Sequence, residues 1–368
     1  MIPTPTRTAK SVARKANMRA IRGASRASKV TPAGDKPVST YPLNRHNDPQ
    51  ITAVLNVDCF EAGGIIRWDR SMRRQELADA LAEARRERKS VRIKIAGYRV
   101  RLDHKGIDRC HYSGKGRGRD SYMEYCIKWR GVTVGLSARR SKNRKLYNYK
   151  LIASGQPCTV VGLPVILEFC KRIISSLGGT LVDSWPKRLD LCLDGMTDKP
   201  LMPVLLNSMK HGCYITSSRQ DIVYYPTSFL IFSDNIRLNI YDKIAEMRDN
   251  KHNAAYHKAM RQRLCMGGPM PRHVVRVEFR LCKLWLYKLG MHNVDELLSG
   301  LGEVVYHLTA DRPRPFFRLT TEPPDKKNRH TSRAKTDHVW AQLCAAMQEG
   351  VPDVLSPPAP TKKRKPRP

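Results

Sequence analysis

In the run Arg188-Leu189-Asp190-Leu191-Cys192-Leu193-Asp194 every second residue is leucine, and those between are charged or polar. Strand side chains alternate faces with a period of two. A strand here turns Leu189, Leu191 and Leu193 to a core and leaves Arg188, Asp190, Cys192 and Asp194 opposite. The two acids are expected to stack on that face, about 6.5–7 Å apart by strand rise. Like charges so placed raise one another's pKa unless a cation sits beside them. The pair is therefore either part of a metal site or neutralised by arginines.

Two later stretches repeat the pattern. Arg237, Asn239, Tyr241 and Lys243 share one strand face, with Ile236, Leu238 and Ile240 opposite. Arg276, Glu278 and Arg280 share another, backed by Val275, Val277, Phe279 and Leu281. If the three strands pair in one sheet, Asp190, Asp194, Glu278, Tyr241 and Lys243 converge. Three carboxylates suit a hard cation, Mg²⁺ or Mn²⁺. A tyrosine can serve as nucleophile and a lysine can offset developing charge. Together these residue types describe phosphoryl transfer on nucleic acid, with Arg237, Arg276 and Arg280 as backbone contacts. An isolated strand tyrosine would instead be read as a packing residue; the neighbouring motifs favour chemistry.

The surrounding composition agrees with a polyanionic partner. Lys plus Arg number 67 against 33 Asp plus Glu, a formal net charge of +34. Such an excess points most simply to DNA or RNA. No apolar run approaches the roughly 18 residues of a membrane span, and no signal-peptide pattern is seen, so a cytoplasmic protein with no membrane partner is expected. The 41% of hydrophobic residues argues for a true core rather than a coating protein. The ten cysteines include no C-x-x-C pair and read as buried thiols in a reducing compartment. The eleven histidines form no H-x-H pair, so carboxylates must dominate any metal shell.

Residues 1–45 contain one acid, Asp35, among many basic and small residues, and read as a disordered basic arm. Folded sequence begins near Ile51 with a strand to Phe60. A helix is expected over residues 73–89, and a strand over 91–102 bent at Gly97. Residues 111–119 form a glycine-rich basic loop without the spacing of a nucleotide-binding loop. A hairpin turns at Arg130-Gly131. Arg139, Arg140, Lys142, Arg144 and Lys145 precede Tyr147 and Tyr149, a mixture suited to single-stranded nucleic acid. A helix over 160–177 leads into the Asp190 strand. Residues 211–235 read as irregular, with Tyr224 and Tyr225 as further hydroxyl candidates. Residues 290–352 are helical, opened by the capping pair Asn293 and Glu296. Residues 353–368 are a basic, proline-rich tail.

The order R-L-D-L-C-L-D, I-R-L-N-I-Y-D-K and V-R-V-E-F-R-L resembles the replication initiation factor family, the trans-acting rolling-circle initiators of plasmids and some phages. The likeness spans roughly residues 145–285. It implies an α+β fold around an antiparallel sheet of the nickase or relaxase type with flanking helices: an N-terminal α+β part over 46–180 and a catalytic sheet over 181–289. It further implies Asp190, Asp194 and Glu278 as metal ligands, Tyr241 as nucleophile forming a 5′-phosphotyrosine, and Lys243 beside the scissile phosphate. The implied partners are origin DNA, single-stranded or cruciform, and a host helicase or polymerase. Where the family carries a Y-[IV]-G-S-R-like turn, this chain reads Phe229-Leu230-Ile231-Phe232-Ser233, and Tyr224 and Tyr225 stand as alternative nucleophiles. A catalytically degenerate origin-binding protein and a non-specific nucleic-acid-binding protein are the competing readings.

Overall fold

A computed structural model describes residues 50–69, 72–108, 122–137, 147–216, 220–249, 254–265, 268–310, 315–324 and 333–355. The basic arm, the glycine-rich loop, the run from Arg139 to Lys145 and residues 356–368 of the proline-rich tail lie outside them, while the first residues of that tail, Asp353 and Val354, close a helix, Val351–Val354.

The strands are β1 (Thr52–Trp68), β2 (Val91–Ile95), β3 (Tyr98–Asp103), β4 (Ile107–Asp108), β5 (Tyr122–Met123), β6 (Tyr125–Trp129), β7 (Val132–Leu136), β8 (Tyr149–Ser154), β9 (Gly179–Thr197), β10 (Tyr214–Thr216), β11 (Asp221–Tyr225), β12 (Ser228–Phe232), β13 (Ile236–Asp242), β14 (His273–Cys282) and β15 (Phe317–Leu319). Eleven of them form one sheet in the order β11-β12-β13-β14-β9-β1-β8-β7-β6-β3-β2. Every neighbouring pair is antiparallel. The fold is thus α+β around a large antiparallel sheet. The segments expected as successive parts, 46–180 and 181–289, both contribute strands to it, joined where β1 pairs with β9.

Alternation decides which face is buried. Leu189, Leu191, Leu193, Phe279, Val277, Leu238, Ile240 and Phe229 all lie in the core. Helices Leu163–Ser176, Leu201–Lys210, Leu301–Thr309 and His338–Glu349 add residues such as Phe169, Leu205, Val305 and Leu343 to the same cluster. Burying each such side chain contributes about 1.5–3 kcal/mol. A one-residue slip would drive the charged alternates into this layer, so the pattern also fixes register.

Several expected elements differ in extent. β9 extends beyond the 188–194 run at both ends, from Gly179 to Thr197, because β1 pairs with it along that whole length and β14 pairs with its second half. The expected strand over 91–102 is a hairpin. Ala96 and Gly97 both take positive φ, 51° and 84°, the geometry of a two-residue turn matched to strand twist. The helix expected over 160–177 is two pieces, Gln156–Val160 and Leu163–Ser176, broken at Gly162 with φ 85°. The stretch expected to be irregular holds β10, β11 and β12, since Phe229 and Ile231 alternate inward. The Asn293–Glu296 capping box forms as read.

Candidate functional site on the polar face of the sheet

β13, β14 and β9 are adjacent, so their polar alternates meet on one face. Arg276 sits between Tyr241 and Asp194, Glu278 between Asn239 and Cys192, and Arg280 between Arg237 and Asp190. Directly opposed residues share a face in an antiparallel pair. Tyr241, Glu278, Asp190 and Asp194 therefore look the same way. The Tyr241 hydroxyl donates to Glu278 Oε2 at 3.1 Å.

Lys243 is placed differently from the strand reading. Asp242 ends β13, and its side chain accepts from the backbone of Ala245 at 3.0 Å, starting a helix at Lys243. The buried Lys243 ammonium donates to Glu246 at 2.5 Å and to the Tyr256 hydroxyl at 2.9 Å. It remains 5.8 Å from the Tyr241 ring centre.

The carboxylates are held by guanidiniums. Arg276, 1% exposed, donates to both oxygens of Asp194 at 2.6 and 2.9 Å and to Asp58 Oδ1 at 2.9 Å. Arg263, from the helix Ala254–Cys265 lying on this face, approaches Asp194 at 3.2 Å. Asp190 receives both Nε and Nη2 of Arg188, and Arg280 Nε at 3.2 Å. Of the alternatives open at the sequence level, neutralisation by arginine describes both aspartates.

The expected separation of Asp190 and Asp194 is corrected. One step along a face is the rise of two residues, whereas these acids are two steps apart with Cys192 between them. Strand rise then sets about 13 Å. Two acids so far apart, each with both oxygens engaged, do not fit one ion's ligand shell with Glu278. Among the described residues no group of three His, Cys, Asp or Glu is arranged to hold a metal ion.

The acid closer to the centre is one the motifs did not mark. Asp58, the residue after Val57, lies on the polar face of β1 and meets Arg276, and a bulge between Val57 and Cys59 then resets the alternation so that Phe60 returns to the core. Its only signal in sequence is a charge inside the apolar run from Ile51 to Phe60. Arg263 and Tyr256 gave no signal, since the helix bearing them is polar on most sides.

These contacts order the protonation states. Burial raises the Glu278 pKa, Asp58 and Asp190 add to it, and Arg276 and Arg280 pull against it without cancelling it. Burial likewise pushes the Tyr241 phenol well up; Arg276 opposes this, while Glu278 and Asp58 reinforce it. For Asp194 burial acts upward too, but Arg276 and Arg263 outweigh it and hold the carboxyl below its usual range. Burial takes the Cys192 thiol up to about 12, which leaves it an inert filler between the acids.

Of the alternative tyrosines, Tyr224 pairs with Phe229 on the apolar face. Its hydroxyl donates to the Met209 carbonyl of the helix Leu201–Lys210 at 3.4 Å. Tyr225 opposes Ser228, which opposes Tyr241, so it stands two strands away on the polar face. The Phe229–Ser233 stretch, aligned with a family turn, is mostly β12. No helix among the described residues is long and apolar enough to cross a membrane. No protein-family model matches the chain, and no curated protein matches its sequence.

Proposed function

We propose that this chain cuts and rejoins one strand of DNA through a covalent bond to Tyr241, on a sheet of the nickase type. The observation that carries the reading is the 3.1 Å contact between the Tyr241 hydroxyl and Glu278, on the face that also bears Asp190, Arg237 and Arg280. A phenol with a raised pKa stores no phenolate at neutral pH, so its proton must leave as the oxygen attacks. Glu278 is the acceptor in contact, and its raised pKa makes it a stronger base than an ordinary carboxylate. Tyr241 Oη bonds to phosphorus, the P–O3′ bond breaks, and the proton passes through Glu278 to the leaving 3′ oxygen. Arg237 and Arg280, both half-buried, are placed to neutralise the phosphate. The phosphotyrosine keeps the phosphodiester energy for rejoining, and the free 3′-OH is a primer for a polymerase in the host cytoplasm, where a helicase would open the duplex.

A second reading, an origin-binding protein that does not cut, is favoured by the arginine pairing of Asp190 and Asp194. Incubation with a random-sequence pool of single-stranded oligonucleotides, followed by denaturing electrophoresis, separates the two. The enzyme reading expects a detergent-resistant protein–DNA adduct that disappears in Tyr241→Phe and falls by two orders of magnitude or more in Glu278→Gln. An adduct surviving in Tyr241→Phe rejects the assignment. Sequence-selective binding without any adduct supports the second reading.

A further inference from the structure

The polar face does not end at the tyrosine. Cross-strand partners run Arg188, Glu61, Ile152, Thr133, Lys128, Arg101 and Arg92, from β9 across β1, β8, β7, β6 and β3 to the edge strand β2. At about 4.8 Å per strand this row is roughly 29 Å long. All its members are at least partly exposed. The ribbon of β4 and β5 packs on this face at Gly135, one step along β7 from Thr133.

The far end of the row is built against its own stability. Arg92 directly opposes Arg101, and Lys94 directly opposes Arg99. Arg101 also opposes Lys128, which is the member neutralised, by Asp103 at 2.6 Å. Arg92, Lys94, Arg99 and Arg101 are exposed, and no ion pair is formed by any of them among the described residues. Like charges directly opposed across a sheet are destabilising. Edge protection asks only for scattered charge on β2; it does not ask for a matched pair on β3.

We infer that this open face is a DNA track, with Arg92, Lys94, Arg99 and Arg101 binding backbone phosphates distal to the Tyr241 site. A polyanion laid along the row would neutralise the opposed cations and reach Arg188 and Arg280 at the other end. The track extends the cutting reading by naming where the strand beyond the scissile phosphate lies.

The test compares two charge-removing variants of the full chain, both in the Tyr241→Phe background so that cutting plays no part. One carries Arg92→Gln, Lys94→Gln, Arg99→Gln and Arg101→Gln. The control carries Arg85→Gln, Arg86→Gln, Lys171→Gln and Lys210→Gln, exposed residues of helices on the apolar side. Binding to fluorescein-labelled 20-nucleotide single-stranded and duplex DNA is followed against salt. The track variant should weaken roughly tenfold or more at physiological salt, with the slope of log affinity against log salt shallower by about 3. The control should stay within about twofold. Equal losses in both variants, or an unchanged slope in the track variant, would overturn the track, whether or not Tyr241 forms an adduct. A shallower slope in a protein that never forms the adduct keeps the track and rejects the cutting reading. Thermal unfolding confirms that both variants are folded.

Discussion

The two ends of the polar face solve opposite electrostatic problems. Around β9 and β14 every buried acid has a guanidinium, and the helix Ala254–Cys265 closes over the pair of Arg276 and Asp194. Around β2 and β3 cations face cations across the ladder, and Arg92, Lys94, Arg99 and Arg101 form no ion pair among the described residues. Burial accounts for the first arrangement: a desolvated charge must be paired or neutralised. Exposure permits the second, since water screens the repulsion. The contrast shows that charge excess alone does not mark a contact surface. Arg276 carries the same guanidinium as Arg99 but is committed to Asp194 and Asp58, whereas Arg99 is exposed and forms no ion pair among the described residues.

The largest effect should come from breaking the committed end. Asp194→Ala leaves the Arg276 guanidinium buried without its bidentate partner and should cost about 3–5 kcal/mol in urea or thermal unfolding. A loss under about 1 kcal/mol would mean that Asp58 alone suffices. The effect is pH-dependent with a defined sign. Asp194 titrates below its ordinary value in the folded state, so its contribution is present above that value and is lost as pH falls through the lowered one. Wild type and Asp194→Asn should therefore converge in strong acid.

Glu278 sharpens the comparison in the other direction. Its folded-state pKa is raised, so its contribution is present at acid pH and lost as pH rises through the raised value. Glu278→Gln should then unfold at higher temperature than wild type at neutral pH, with the gap closing below the ordinary glutamate range. A variant less stable than wild type at neutral pH would show that the bond from Tyr241 outweighs the repulsion from Asp58 and Asp190. The smallest effect belongs to the open end: Arg99→Gln with Arg101→Gln should leave stability unchanged or raise it by about 0.2–1 kcal/mol per relieved pair. Destabilisation there would mean that these side chains pack rather than wait for a ligand.

Much of this was legible in the chain. The leucine alternation of residues 188–194, the valine and phenylalanine alternation of 275–281 and the isoleucine alternation of 236–240 each placed their polar partners on one face, and the pairing of the three strands joins those faces. Less legible was what each polar group does there. The spacing from 190 to 194 hides a distance of about 13 Å behind a short motif. Lys243 follows strand parity on paper, but the Asp242 cap ends the strand one residue earlier. Asp58 falls on the polar face by alternation from Leu55 and Val57, but its pairing with Arg276, 218 residues away, depends on strand order.

The sequence by itself determined the strands bearing Leu189, Leu238 and Val277, the face each of them buries and the sign of the protein's charge, because these follow from period-two alternation and simple counting. Only the tertiary structure decided which charges are spent on one another and which are left open. Pairing between residues 82 apart, as in Arg276 and Asp194, depends on strand order and on the helix that excludes water above them. Neither is written in any local spacing.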